Sequence, residues 1–208
     1  MARVSREQTI ASHTAITTSS SRLIREHGLK NVTVADIMEA VGMTHGGFYK
    51  HFESKDALAA VACEQAFEDS AARWTRRVAK VGPENARDAL IENYLSHRSR
   101  ANPADGCPAS ALVIDVAREP EGAPIRAAFS AGVESLVAVL TETEASGSDA
   151  VNRERALADL STMVGALVLS RATAGSDVSD ALLAAASRSL KQARAAAVKR
   201  KPKKSSRH

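Results

Sequence analysis

The stretch that decides the fold is TVADIMEAVGMTHGGFYKHFESKDAL, residues 33–58. Thr33 is a good N-cap, and Asp36 three residues later makes a variant of the capping box. Val34, Ile37, Met38 and Val41 recur at i, i+3, i+4 and i+7, the period of a helix that buries one face. Gly42 ends this short helix. Thr44 is placed to cap a second short helix carrying Phe48, Tyr49 and Phe52, and Ser54 to cap a much longer one. Two short capped helices joined by a tight glycine-containing turn form a helix-turn-helix, in which the first helix braces the second for entry into a DNA major groove.

Working outward, the preceding helix is expected from about Ser12, or a few residues earlier, to His27. Ile16, Ser20, Leu23 and Ile24 share its inner face, and Gly28 fits the left-handed position that ends it. Its middle, residues 17–21, is a poor helix former and needs tertiary packing to hold it. The helix that opens at Ser54 runs to about Lys80, where Gly82 and Pro83 stop it. Further helices are expected at about Glu84 to Arg100, Pro108 to Glu119, a seventh segment through Ile125 and Leu140, Arg153 to Ala174, and Val178 to Val198. No strand alternation persists anywhere. The expected fold is therefore all-α with about nine helices: a three-helix N-terminal domain joined through a long fourth helix to a C-terminal helical bundle. The corresponding domains are a DNA-binding unit at 1–60, an effector-binding and dimerisation unit at 61–198, and a basic, disordered tail at 199–208.

Composition supports this and removes one tempting argument. Of 208 residues 44% are hydrophobic but only 3% aromatic, so the core is built from Ala, Leu, Val and Ile. The formal charge is +4, yet KRKPKKSSRH at the C-terminus holds six of the 28 Lys and Arg; without it the balance is 22 basic against 24 acidic. The basic pI of about 9.3 belongs largely to the tail and is no argument for nucleic acid. Two cysteines are too few for a secreted disulfide scaffold. The N-terminus has no apolar signal region and no apolar run approaches the ~18 residues of a bilayer span, so a cytoplasmic protein is expected. No phosphate loop, dinucleotide fingerprint, nucleophile elbow or metal-ligand spacing is present; His45 and His51, six residues apart, do not stack on one helical face. No catalytic residue, cofactor or metal is expected.

The segment resembles the DNA-binding domain of TetR-family repressors. The resemblance rests on Ile16, Leu23, Gly28, Thr33, Val34, Ala35, Ile37 and Gly42, on the block THGGFYKHF and on the block SKDAL, and covers about residues 10–65. It implies a homodimeric repressor, bound to double-stranded palindromic DNA and released by an effector. It implies that Thr33 and Lys55 contact phosphate, that Thr44, His45, Gly46 and Gly47 face bases, and that Tyr49 lies on the backbone or a thymine methyl, with Lys50 and His51 as further contacts. Gly46 and Gly47 lack side chains, so base reading falls to His45 or to DNA shape. The two glycines either admit another backbone or base edges, or let this helix pack closely on its neighbour.

The same resemblance implies an effector-binding domain; the pocket is expected among the fifth to eighth helices, where position and chemistry make Tyr94, His97, Arg98, Cys107, Phe129 and Met163 candidates. Low aromatic content points to a modest apolar ligand or to no soluble ligand. Cys107 at the N-cap before Pro108 meets the positive end of a helix dipole, which lowers a thiol pKa and would suit a sensor of reactive species; the alternative is a small side chain filling a corner. Ser161, Gly165, Ala166, Ser170, Ala185 and Ala186 would let helices approach closely and make the last two helices the expected dimer surface; the alternative is an ordinary core within one chain. Two other functions fit less of the sequence: a Cys-dependent enzyme using Cys107 and His97, and a helical interaction protein that does not bind DNA.

Overall fold

The computed structural model describes residues 6–144 and 147–199. They form nine α-helices and one short 3-10 helix, and no strand among the described residues. α1 (Arg6–His27) starts earlier than the apolar period alone requires, because Arg6, Glu7 and Gln8 continue it as good helix formers. Its weak middle is supported by burial: Thr17, Ser20 and Ser21 are small and sit inside, letting α1 lie close to α3 (Lys55–Val81). Gly28 ends α1 at φ 87°, its N–H on the Ile24 carbonyl at 3.0 Å.

α2 (Val34–Ala40) carries the expected capping box. The Gly42 and Met43 N–H groups close it on Glu39 and Met38, and the 3-10 helix His45–Lys50 follows. Ser54 caps α3 by accepting from the Ala57 N–H at 3.0 Å. At 27 residues α3 is about 40 Å long, and Gly82 at φ 79° stops it.

The helix expected at 84–100 is two helices, α4 (Pro83–Tyr94) and α5 (His97–Ala101). The break belongs to Ser96, whose hydroxyl donates to the Asn93 carbonyl at 2.8 Å and accepts from the Ser99 N–H at 3.2 Å. That local cap competes with continuing the helix. α6 (Pro108–Arg118), α7 (Pro124–Glu142), α8 (Asp149–Ala172) and α9 (Asp177–Lys199) complete the bundle. Residues 200–208 of the expected tail lie outside the described residues.

One apolar core runs from Ile16 to Leu190. α7 packs along α3 and then on α8. By length and composition α7 could cross a bilayer, but Arg126 and Glu134 interrupt it and Ile125, Leu136, Val137 and Leu140 fill the core. The α3–α7 contact needs glycine: a Cβ on Gly132 would meet Phe67 Cγ at 2.1 Å. Across the bundle, buried Arg87 on α4 donates to both Asp159 oxygens on α8 at 2.6 and 2.7 Å and to the Leu190 carbonyl on α9 at 3.2 Å.

Candidate nucleic-acid interface and ligand cleft

The 3-10 helix presents one face to the core and one to solvent. Phe48 is fully buried and Phe52 nearly so, whereas Tyr49 is 63% exposed. His45 and Lys50 are exposed, and the His45 ring stands edge-on to Tyr49 at 6.0 Å. Apolar Phe side chains thus anchor the element while its aromatic hydroxyl and imidazole point outward. His51 is half-buried, edge-on to His13, and Phe52 stacks on His13 at 4.5 Å.

Thr33 is exposed, and its hydroxyl donates to Asp36 Oδ2 at 2.7 Å while accepting from the Asp36 N–H at 3.2 Å. These bonds hold the Asp36 carboxyl below its ordinary value, the Thr33 hydroxyl first and its N–H second. Thr44 differs from its expected role. It opens the 3-10 helix with its carbonyl, which accepts from the Gly47 N–H at 2.9 Å, and its hydroxyl makes no capping bond. Lys55 is half-buried and its ammonium donates to the Leu29 carbonyl at 2.8 Å, bracing the connection after α1. Two of its three donors remain for a phosphate.

Neither Gly46 nor Gly47 has a positive φ. A Cβ on Gly46 meets nothing within 4 Å, and one on Gly47 reaches Met38 Cε at 3.5 Å, an ordinary contact. Packing against α2 therefore does not require either glycine.

A cleft of about 770 Å³ opens between the C-terminal half of α3, α4, α5 and the turn before α6. It gathers Tyr94, Arg98 and Cys107 from the expected effector set. The other three lie elsewhere. Met163 is fully buried in the core, Phe129 packs edge-on against Phe67, and exposed His97 sits on Arg100 at 3.1 Å and Asp180 at 3.5 Å. His97 therefore does not serve Cys107 as a base. Trp74, Tyr94 and Leu167 form the apolar part of the cleft, with Trp74 edge-on to Tyr94 at 5.9 Å. The buried Tyr94 hydroxyl lies beside Cys107 and Ser110. The sequence reading missed Arg73, Arg76, Arg77 and Lys80, all on the cleft wall. Their i, i+3, i+4, i+7 spacing was legible in RWTRRVAK.

Cys107 is the N-cap of α6, as expected, but its thiol pKa is raised. Burial is the largest cause; the Tyr94 hydroxyl and the N–H groups of Ala109 and Ser110 pull the other way and are outweighed. Burial likewise pushes Cys63 up to about 12.

Residues 16–62 match the family model for bacterial regulatory proteins of the tetR family. The match takes in more than half of α1, all of α2 and the 3-10 helix, and the start of α3. The likeness to solved TetR-family structures extends over most of the chain. A transcriptional regulator of the TetR family from Cytophaga hutchinsonii superposes with a TM-score of 0.73 at 18% identity, covering 92% of this chain and 98% of that one. One from Agrobacterium tumefaciens gives 0.70 at 21%, covering 88% and 98%. NemR of E. coli in its reduced form gives 0.70 at 18%, covering 88% and 96%. No curated protein sequence matches the chain.

Proposed function

We propose that the protein is a cytoplasmic homodimeric repressor that binds a palindromic operator and leaves it when a small molecule enters the α3–α6 cleft. The observation that carries the DNA-binding half is the outward face of the 3-10 helix: Thr44, His45 and Tyr49 stand free on a TetR-type frame while Phe48 and Phe52 hold it down. In this reading residues 1–60 bind DNA and residues 61–198 bind effector and partner. Thr33, Tyr49, Lys50, His51 and Lys55 serve phosphates; Thr44 and His45 read bases; Gly46 and Gly47 let the duplex approach. One such helix makes too few contacts for a specific site, and two related by a dyad read a palindrome.

Dimerisation is assigned to exposed residues of α8 and α9. Leu157 and Leu169 on α8 and Val178 on α9 stand out from the surface, and Ser161 and Ala185 are exposed beside them. A Cβ on Gly165 would meet only open space. Ala166 and Ser170 do not join this surface: both are buried, and the Ser170 hydroxyl bonds Ser179 within the chain at 3.0 Å.

A gel shift with the protein's own upstream DNA tests the proposal. Tyr49→Ala is expected to weaken binding about tenfold or more, the size of one lost phosphate or base contact, with a steep salt dependence in the parent. Binding unchanged in Tyr49→Ala and Lys55→Ala together would remove the site, and a monomer by sedimentation would remove the dimer.

A further inference from the structure

The cleft wall carries five cations and one carboxylate. Arg73, Arg76, Arg77 and Lys80 form one stripe on α3, and Arg98 faces them from α5. Asp105, the one acid, is already held by Arg22. Among the described residues no carboxylate lies within ion-pair distance of any of the five cations; Arg73 and Arg77 bond only the neutral side chains of Ser70 at 2.7 Å and Asn93 at 2.7 Å. Like charges at i, i+4 oppose one another on a helix, so this stripe works against the fold it sits on. Arg25, which donates to the carbonyl of the cleft residue Gly106, also feels it: burial first and Arg73 second lower its pKa to about 10. Behind the cations the cleft turns apolar at Trp74, Tyr94 and Leu167, where the buried Tyr94 hydroxyl lies beside Cys107 and Ser110. Arg73 lies 18 residues beyond Lys55 on the same helix, about 27 Å from the DNA-binding end.

We infer that the cleft binds an amphipathic organic anion, a carboxylate or phosphate head held by the arginines and an apolar body lodged against Trp74 and Tyr94. Arginine suits this because its planar fork binds either head group by paired hydrogen bonds. The volume fits an ordinary small-molecule site. The inference rests on the effector reading above and departs from the expectation of a modest apolar ligand or no soluble ligand.

The test titrates the full chain with decanoate, decyl phosphate, decanamide and decylammonium, all below their aggregation concentrations. It is read by calorimetry and by the fluorescence of Trp74, the single tryptophan. The expected result is saturable binding of one or both anions, at least tenfold tighter than the amide, and none of the ammonium. Arg77→Gln and Arg98→Gln should each weaken it about tenfold while leaving DNA binding intact, and Lys55→Gln should leave it unchanged. Equal binding of the amide, no saturable anion binding, or anion binding indifferent to both arginine variants would overturn the inference. So would loss of ligand-free DNA binding in the arginine variants. Anion binding that fails to release DNA would leave the site standing and remove the effector reading.

Discussion

The Leu29 N–H donates to Asp115 Oδ2 at 3.0 Å, tying the second residue after α1 to the C-terminal half of α6. The Arg25 guanidinium donates to the Gly106 carbonyl at 2.8 Å and Lys30 pairs with Glu119 at 2.5 Å, so the end of α1 holds α6 and its approach at three levels. Gly106 and Cys107 also line the cleft, so under the proposed function these contacts are where a ligand would reach the helix-turn-helix. The contact is tight: a Cβ on Gly28, already at φ 87°, would stand 3.2 Å from Asp115 Oδ2. Asp115→Ala leaves the Leu29 N–H without its acceptor, and a loss of about 1–3 kcal/mol is expected in urea denaturation. The same variant is expected to bind DNA but respond less to ligand. Unchanged stability and unchanged response would show that this bond couples nothing.

Gly46→Ala separates folding from recognition. The site has room for a methyl group and ordinary backbone angles, so the variant is expected to be more stable by about 0.5–1 kcal/mol. If the duplex approaches this backbone closely, DNA affinity falls about tenfold in the same variant. A gel shift beside a thermal melt reads both; a variant that is more stable and binds as well as the parent would show that nothing approaches Gly46.

The helix-turn-helix was legible because its signals are local. Thr33, Asp36, Ser54 and Gly28 act within four residues of themselves, and Phe48 against Tyr49 follows from period alone. The 3-10 winding of residues 45–50 was not legible, because two glycines weaken α-helical preference without naming the alternative. The break at Ser96 was readable in its spacing to Ser99, but the apolar period of Leu90, Ile91, Tyr94 and Leu95 masked it. The cleft was half legible. Tyr94, Arg98 and Cys107 meet there, while Phe129 packs on Phe67 and Met163 is buried in the core. Which helices enclose a space depends on packing between segments far apart in the chain. The Cys107 thiol went the other way for the same reason: position along the helix predicts a lowered pKa, and burial by other helices reverses it.

The Arg87–Asp159 pair predicts a sharp contrast between two ion pairs. Both side chains are buried, and Glu144 adds a second carboxylate oxygen 3.2 Å from Arg87 Nε. Arg87→Met leaves Asp159 buried without its cation, and a loss of about 3–5 kcal/mol is expected. Lys191→Met, at the more exposed pair with Glu92, should change stability by less than about 1 kcal/mol. Chemical denaturation of the two variants side by side checks this; equal losses would contradict it.

Both thiols should be silent at neutral pH. Cys63 is fully buried and Cys107 nearly so, both are free, and burial raises both pKa values above the ordinary 9.0. The thiolate is the reactive species, so a disulfide reagent at pH 7.5 should label neither in the folded protein and both in urea. The sign of the pH dependence follows from the same shift. The folded state holds the Cys63 proton more tightly than the unfolded chain does, so this residue's contribution to stability is constant below pH 9. It falls as pH rises from about 9 towards about 12. Cys63→Ala should remove that share of the alkaline decline, read as a shallower slope of unfolding free energy against pH rather than as an absolute change. Rapid labelling of Cys107 in the folded protein would mean that the helix dipole outweighs burial there, and a reactive species would then displace the amphipathic anion as the expected effector.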